Sequence, residues 1–293
     1  MKLCHYTNSV GMIGILNKEK EKIVLWCTHA DCLNDYSEGK DVIRIYKKAI
    51  KELLEENIID QEKYDVLKDI KMPNKHTYIL DLGKDDNGIR TSTGYSEEYD
   101  PYICSFCESD DLLDMWRYYS KGDIGYALTF FEHEVKEDLK EENTVIDTNV
   151  LNIFDFKKVI YNRNEKKSII KKIINKNINC FGDYNYCDAI AYELSELRYV
   201  FKHECFENER ERRLIVKVPK RDAIINRPTI KYRPSNGMII PYIEIELSKN
   251  CLKKVMLSPL ASEITEKMAK KYVGSFMGDN VFDVEKSDLP IRF

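Results

Sequence analysis

Apolar residues recur along the chain with two different periods, and these periods predict its helices and strands. A spacing of three or four residues predicts a helix, as at Val42, Ile45, Ala49 and Leu53, because it gathers the apolar side chains on one face. Alternating or unbroken runs of branched and aromatic residues predict strands. The predicted strands lie at residues 2–6, 23–28, 101–107, 124–131, 214–218, 229–232, 239–247 and 252–259, with a further pair at the end of the chain, and the main predicted helices lie at 8–18, 38–71, 110–120, 132–141, 164–178, 188–202 and 262–273.

This mixture of elements predicts an α+β fold with a mixed central β-sheet that is split. No linker rich in proline, glycine or serine divides the chain, so residues 1–293 are predicted to form a single domain. Helical insertions at about 38–72 and 132–200 pack around the sheet in this interpretation. The polar segment 82–100 contains many turn-forming residues, and it is predicted to be a loop and a candidate flap over a site.

The charge balance excludes a strongly basic nucleic-acid binder, although a local basic groove is compatible with it. The chain has 46 Lys and Arg residues against 50 Asp and Glu residues, which gives a net charge of −4. The N-terminal apolar run is too short for a signal peptide, and no window reaches the roughly 18 apolar residues of a membrane span. Nine cysteines without an export signal indicate reduced thiols, so a cytoplasmic protein without a membrane partner is expected.

Local motifs for common enzyme chemistry are missing from the sequence. There is no glycine-rich phosphate loop, no H-E-x-x-H and no G-x-S-x-G. Cys104 and Cys107 in "CSFC" have the spacing of a zinc knuckle, but a strand places residues three apart on opposite faces. They are interpreted as core thiols, and no metal is expected.

The stretch "FKHECFENERERRLIVKVP" combines a predicted strand with a run of charged residues at its start. Read at period two, Leu214 and Val216 lie on one side of the strand, whereas Glu209, Glu211 and Arg213 lie on the other. Two interpretations follow. The charges belong either to an ordinary solvated strand end or to carboxylates that are held in place for chemistry.

A small set of polar and aromatic residues elsewhere completes the candidate site. Each of them has a structural alternative, because histidines, aromatic residues and charges in such positions usually serve packing or solvation. The set comprises His5, Tyr6 and Thr7 near the start of the chain, Trp26 and Thr28 in the second strand, Ser105 and Phe106 in the middle strand, and Trp116, Arg117 and Tyr119 on the helix that follows.

Three separated segments resemble a bacterial family known as domain of unknown function 2971. They are "HYTNSVGMIGIL…LWCTHADCLNDYSE", "ICSFCESDDLLDMWRYYSKGDIGYALTF" and "KHECFENERERRLIV", at residues 5–38, 103–130 and 202–216. The sequence departs from the family pattern at three positions. Tyr36 replaces a proline, Cys107 replaces a small residue, and Arg212 replaces a tryptophan beside Glu211.

The order of the candidate residues also resembles the layout of ADP-ribosyltransferases, which bind NAD across a split sheet. The resemblance implies that His5 holds a ribose hydroxyl, that Glu211 contacts the nicotinamide ribose, and that Tyr119 or Phe106 stacks on nicotinamide. NAD would then be the substrate, because a carboxylate beside the ribose stabilises the oxocarbenium-like centre left when nicotinamide departs. Arg213 is expected to orient Glu211 or to bind the diphosphate.

Arg117 is a second candidate for binding phosphate, and Glu211 is favoured over Glu209 as the catalytic carboxylate. The acceptor of a transferred ADP-ribosyl group is left open between a protein and a nucleic acid, and the sequence leaves the oligomeric state open. By analogy with the family, a role as a toxin or phage-defence effector is expected if the protein is a transferase.

Two other functions are compatible with the same residues. A nucleotide- or protein-binding module without turnover would use Trp116 and Tyr119 as stacking surfaces. A nuclease-like enzyme would hold a divalent metal with Asp35, Glu38 and Glu211. The transferase needs no metal, so sensitivity to a chelator separates it from the nuclease.

Overall fold

The computed structural model describes residues 1–33, 39–72, 74–84, 89–120, 124–141, 153–181, 186–221, 227–235, 237–278 and 282–290. Its strands are β1 (Lys2–Asn8), β2 (Leu16–Asn17), β3 (Lys22–His29), β4 (Lys75–Lys84), β5 (Arg90–Cys107), β6 (Gly125–Phe131), β7 (Phe154–Lys158), β8 (Glu211–Pro219), β9 (Lys231–Ser235), β10 (Met238–Leu247), β11 (Lys254–Leu257) and β12 (Val284–Lys286). Its α-helices are α1 (Ser9–Ile15), α2 (Lys40–Glu55), α3 (Gln61–Leu67), α4 (Leu113–Ser120), α5 (Glu132–Glu141), α6 (Arg163–Phe181), α7 (Tyr186–Leu197) and α8 (Glu263–Met277), and short 3₁₀ helices lie at Ala30–Cys32, Glu204–Glu209 and Lys249–Cys251.

A mixed β-sheet forms the centre of the fold, with strands in the order β12-β11-β6-β1-β5-β3-β10-β9. The short β2 extends the pairing at β3, β4 pairs with the first half of β5, and β8 lies between β5 and β7. The neighbours are antiparallel except for β11 and β12, which run parallel. The predicted α+β fold with a mixed sheet is therefore confirmed.

The sheet divides at the second half of β5. On one side β8 pairs with β5 continuously from Tyr99 to Cys107, so β1 and β3 must both use the other side. There β3 pairs no further than Ile103, and β1 meets β5 at Cys107. Residues 104–106 lie in the gap between β1 and β3, so their backbone polar groups need partners that a neighbouring strand would otherwise supply.

Two groups of buried apolar side chains cover the sheet. The larger core contains residues from nearly every element, and the smaller cluster lies between α4 and the sheet and includes Tyr6, Cys107 and Trp116. Cys104 belongs to the larger core, so the two cysteines of "CSFC" lie on opposite faces of β5, as the strand period predicts. β6 is buried from Gly125 to Phe130, because it is a central strand covered on both faces.

The helices of the two insertions pack on each other and reach towards β8. α2 and α3 come from the first insertion, and α6 and α7 come from the second. Lys166 of α6 is 2% exposed, and its ammonium contacts Asp41 of α2 at 3.3 Å and donates a hydrogen bond to the Lys202 carbonyl oxygen at 2.5 Å. This contact links both insertions to the chain just before β8.

The structure corrects four predictions about individual elements. Residues 90–100, predicted to be a loop, continue β5 and pair with β4 as a long hairpin, because its threonines and tyrosines favour strands despite the surrounding turn formers. The second insertion contains β7, and within the described residues after α8 the predicted terminal strand pair is represented by one strand, β12. Glu209 ends a 3₁₀ helix, so β8 begins only at Glu211.

Candidate functional site

A cavity of about 160 Å³ lies where the sheet divides, between β1, β3, β5, α4 and the start of β8. Its wall combines apolar and aromatic side chains with two carboxylates and one imidazole. The residues that line it are Cys4, His5, Tyr6, Trp26, Thr28, Leu33, Ile103, Ser105, Phe106, Cys107, Met115, Tyr119, Glu209 and Glu211. The three segments predicted to converge, at the start, middle and late part of the chain, therefore meet at one cavity.

Most of the predicted site residues lie on this wall. His5 and Tyr6 come from β1, Thr28 comes from β3, and Ser105 and Phe106 come from β5. Tyr119 reaches the cavity from α4, and Glu209 and Glu211 reach it from the chain around the start of β8. Their roles towards a ligand stay predictions.

Four predicted residues do not line the cavity. Trp116 is 3% exposed and packs edge-on against the Tyr6 ring at 4.7 Å, while its indole N–H donates to Asp111 at 2.8 Å, so it belongs to the smaller core cluster. Arg117 is on the exposed side of α4, and Thr7 lies beyond the end of the cavity on β1. Arg213 is buried behind Glu211.

Glu211 is a buried carboxylate held by two cations. It is 4% exposed and forms a bidentate ion pair with Arg213. The guanidinium donates from Nε to Oε1 at 2.8 Å and from Nη2 to Oε2 at 2.9 Å. The ammonium of Lys202 donates to Oε2 at 2.9 Å. Burial raises the pKa of Glu211, but Arg213 and Lys202 outweigh burial and lower that pKa to about 2, so the group is ionised at neutral pH.

The backbone fixes the position of this carboxylate. The Glu211 N–H donates to the Tyr161 hydroxyl at 2.8 Å, and its carbonyl oxygen accepts from the Val159 N–H at 3.0 Å. Arg210, in the left-handed conformation with φ of 44°, turns the chain between the 3₁₀ helix and β8. Both glutamates that flank this turn can therefore contact the same ammonium group.

Lys202 joins the two glutamates into one neutral network. Its Nζ donates to Glu209 at 2.7 Å as well as to Glu211, so two carboxylates face two cations, Lys202 and Arg213. Burial lowers the pKa of Lys202, but the two glutamates together raise it above its ordinary value. The third guanidinium nitrogen of Arg213, Nη1, donates a hydrogen bond to the Tyr199 carbonyl oxygen at 3.0 Å. A buried network satisfied in this way is rigid.

His5 occupies the gap in the sheet. Its Nδ1 lies 3.0 Å from the Ser105 carbonyl oxygen, one of the groups that the division of the sheet leaves without a neighbouring strand. Because a carbonyl only accepts, Nδ1 carries the proton of this hydrogen bond, whereas Nε2 accepts in the neutral ring and donates in the protonated ring. Burial lowers the pKa of His5, but the contacts with Cys104 and the Ser105 carbonyl raise it above its ordinary value.

Two aromatic rings, Phe106 and Tyr119, contribute to the cavity wall together with the imidazole and the carboxylates. The Phe106 ring meets the His5 ring edge-on at 5.8 Å. Burial raises the pKa of the Tyr119 hydroxyl, so it stays protonated and can donate a hydrogen bond. The arrangement offers a fixed negative charge, an imidazole and flat apolar surfaces within one small cavity.

Sequence reasoning missed Lys202 and several wall residues. Lys202 stands nine residues before Glu211, and no period or motif connects the two, because the 3₁₀ helix between them brings them together. Trp26 belongs to the candidate set, but the sequence predicts no specific role for it. This residue is 41% exposed, whereas the other central residues of β3 are buried. A large aromatic residue exposed within a buried strand is a signal of a binding surface.

The divalent-metal alternative receives no support from the part of the chain that the structure describes. Among those residues there is no group of three or more histidine, cysteine, aspartate or glutamate side chains that could hold a metal ion. Asp35 and Glu38, on which that alternative depends, lie outside the described residues. In the same described part, no helix is long and apolar enough to cross a bilayer.

The fold and the cavity define an α+β protein with a divided sheet and a buried, cation-held carboxylate. Residues 115–214 match a family described as "Protein of unknown function (DUF2971)", which confirms the resemblance predicted from the sequence. This segment runs from α4 to β8 and includes both glutamates of the cavity. No curated protein and no solved structure gives a significant match to the chain.

Proposed function

We propose that this protein binds NAD and cleaves the bond between nicotinamide and ribose, with water or another nucleophile as the acceptor. The observation that carries the proposal is that Glu211 and His5, far apart in the chain, line one cavity with the Phe106 and Tyr119 rings on its walls. An ionised carboxylate stabilises the positive charge that develops in ribosyl transfer at C1′, and an imidazole and aromatic surfaces can position the sugar and the base.

In this reaction the C1′–N bond breaks, and nicotinamide leaves with the bonding electron pair. Positive charge develops on the ribose, and the Glu211 carboxylate stabilises it because it is already ionised and fixed by Arg213 and Lys202. The acceptor adds at C1′ and releases its proton. With water as acceptor, the products are nicotinamide, ADP-ribose and one proton.

His5 and the aromatic rings position the substrate. The Nε2 atom of His5 is not engaged by the contact with Ser105, so it can form a hydrogen bond with a ribose hydroxyl. The cavity of about 160 Å³ is smaller than the roughly 300–1,000 Å³ of a site that encloses a drug-sized ligand. It therefore accommodates the reacting end of a dinucleotide, and the remainder lies outside it.

The test is release of nicotinamide from NAD by the purified protein and by its Glu211→Gln variant. We expect a loss of at least about a hundredfold in the variant, since removal of one electrostatic stabiliser commonly has an effect of this size. Glu207→Gln is the matched control, because Glu207 is an exposed acid of the adjacent 3₁₀ helix. Equal turnover by Glu211→Gln and the wild-type protein would remove the proposed role.

A second candidate function is a nucleotide-binding module without turnover, and one observation favours it. Three hydrogen bonds from Arg213 and Lys202 already occupy the Glu211 carboxylate, which leaves little acceptor capacity for a substrate. Calorimetric titration with NAD and ADP-ribose, together with the nicotinamide assay, separates the two functions. Saturable binding of intact NAD without any product would establish the binding module.

A further inference from the structure

A cation and an aromatic ring without an assigned role lie beside the mouth of the cavity. Trp26 lines the cavity and is 41% exposed, which is unusual for a tryptophan in the middle of a strand with buried neighbours. Its ring packs on Tyr242 with centroids 4.5 Å apart and an interplanar angle of 34°. This packing fixes the tryptophan ring, although much of the ring stays in contact with solvent.

Arg233 lies next to this ring. The centre of its guanidinium is 5.5 Å from the Trp26 ring centroid, and its Nη2 donates to the Thr28 hydroxyl at 3.0 Å. Strand pairing explains the arrangement, because β9, β10 and β3 are neighbours and the four side chains project from the same face of the sheet. Thr28 itself lines the cavity, so Arg233 is one contact away from its interior.

The hydrogen-bonding capacity of Arg233 is only partly used. Its Nε is shielded from solvent, and among the described residues it has no hydrogen-bond partner and no carboxylate forms an ion pair with the guanidinium. The neighbouring cation on the same strand differs, since Lys231 pairs with Glu244 at 2.7 Å. An arginine with open donors, held in place by a hydroxyl and lying over a partly exposed indole, is suited to an anion attached to a ring system.

We propose that Arg233 and Trp26 form an outer subsite that binds the diphosphate of a nucleotide whose ribose occupies the cavity. The guanidinium binds the phosphate oxygens, and the exposed indole supports the part of the nucleotide that leaves the cavity. The proposal rests on the proposed function for the ligand in the cavity, and it accounts for how a cavity of about 160 Å³ serves a larger dinucleotide. It assigns the diphosphate to Arg233 in place of Arg117 and the buried Arg213.

The tryptophan content of the chain makes this subsite directly observable. The sequence contains two tryptophans, Trp26 and Trp116, and the latter is buried away from the cavity. A Trp116→Phe protein therefore reports the emission of Trp26 alone. Its unfolding curve, compared with that of the wild-type protein, establishes that the reporter protein is folded.

The experiment titrates this reporter protein with ADP-ribose, which carries the diphosphate, and with nicotinamide riboside, which has no phosphate. We expect ADP-ribose to change the Trp26 emission and Arg233→Met to weaken its binding by at least about tenfold, as the loss of a charge-assisted hydrogen bond implies. Arg233→Lys keeps the positive charge but loses the paired guanidinium donors, so it should bind ADP-ribose with an intermediate affinity. The affinity for nicotinamide riboside should not change in either variant.

Arg90→Met is the matched control, because Arg90 already pairs with Asp81 on the β4–β5 hairpin. It should bind ADP-ribose like the reporter protein. Unchanged ADP-ribose affinity in Arg233→Met, or no response of Trp26 at saturating ADP-ribose, would overturn the subsite. Weaker binding in Arg233→Met without any nicotinamide release by the wild-type protein would retain the subsite and remove the cleavage reaction. Nicotinamide release with an unchanged KM for NAD in Arg233→Met would retain the cleavage reaction and remove the subsite.

Discussion

The charge of Glu211 makes a contribution to stability whose pH dependence can be calculated. Its ordinary pKa is 4.5, and in the folded protein the surrounding cations lower this pKa to about 2. At 1.36 kcal/mol for each pH unit, the ionised carboxylate stabilises the folded state by about 3 kcal/mol relative to its neutral form. Because the folded pKa is the lower one, this stabilisation is present above pH 4.5 and is lost as the pH falls towards 2.

Replacing Glu211 by glutamine removes the charge and keeps the shape. We expect Glu211→Gln to lower the free energy of unfolding by about 3 kcal/mol at pH 7 and by only about 1 kcal/mol at pH 3, where much of the wild-type advantage has gone. Urea denaturation at both pH values, followed by circular dichroism, measures the difference. Glu207→Gln should stay within about 0.5 kcal/mol of the wild-type protein, because that side chain is exposed.

The result that refutes this reasoning is a difference that does not depend on pH. A constant loss at pH 7 and pH 3 would mean that the glutamine disturbs packing, and that the carboxylate charge does not stabilise the fold. A variant as stable as the wild-type protein at pH 7 would mean that desolvation cancels the attraction of Arg213 and Lys202, as it does in some buried ion pairs.

Further substitutions test the network, the smaller cluster and the central strand. Lys202→Met should raise the pKa of Glu211, because one of its two cations is lost, and carbon-13 NMR of the glutamate carboxyl groups follows that titration. Trp116→Phe should lower the free energy of unfolding by about 1–2 kcal/mol through loss of the hydrogen bond to Asp111, and should leave ADP-ribose affinity unchanged. Leu128→Ala, on the buried strand β6, should cost about 2–5 kcal/mol in urea denaturation.

The sequence predicted the parts of the fold that have a clear period. The amphipathic helix α2 and the buried strand β6 follow directly from the spacing or continuity of apolar residues. The β4–β5 hairpin was missed because polar residues occur on both of its faces, so neither the helical nor the strand period stands out. Its threonines and serines were also interpreted as turn formers.

The site was predictable where several segments converge, and unpredictable where one short-range turn decides a contact. The convergence of His5, Phe106 and Glu211 on one cavity follows from strands placed beside a divided sheet. The approach of Lys202 to Glu211 depends on a 3₁₀ helix and a left-handed residue, which no periodic pattern predicts. Trp116 is buried and does not line the cavity, and the sequence could not indicate this because a buried tryptophan and one that stacks on a ligand have the same sequence pattern.

The hydrogen bond from Lys166 to the Lys202 carbonyl has a consequence for how this scaffold diversifies. It makes the inserted helices a support for the acidic group, since they hold the backbone from which the ammonium of Lys202 extends. A relative with a shorter or exchanged second insertion would lose this hydrogen bond, and the pKa of its glutamate at the position of Glu211 would differ. Sequence changes in helices outside the cavity can therefore alter the chemistry of a site on the same sheet.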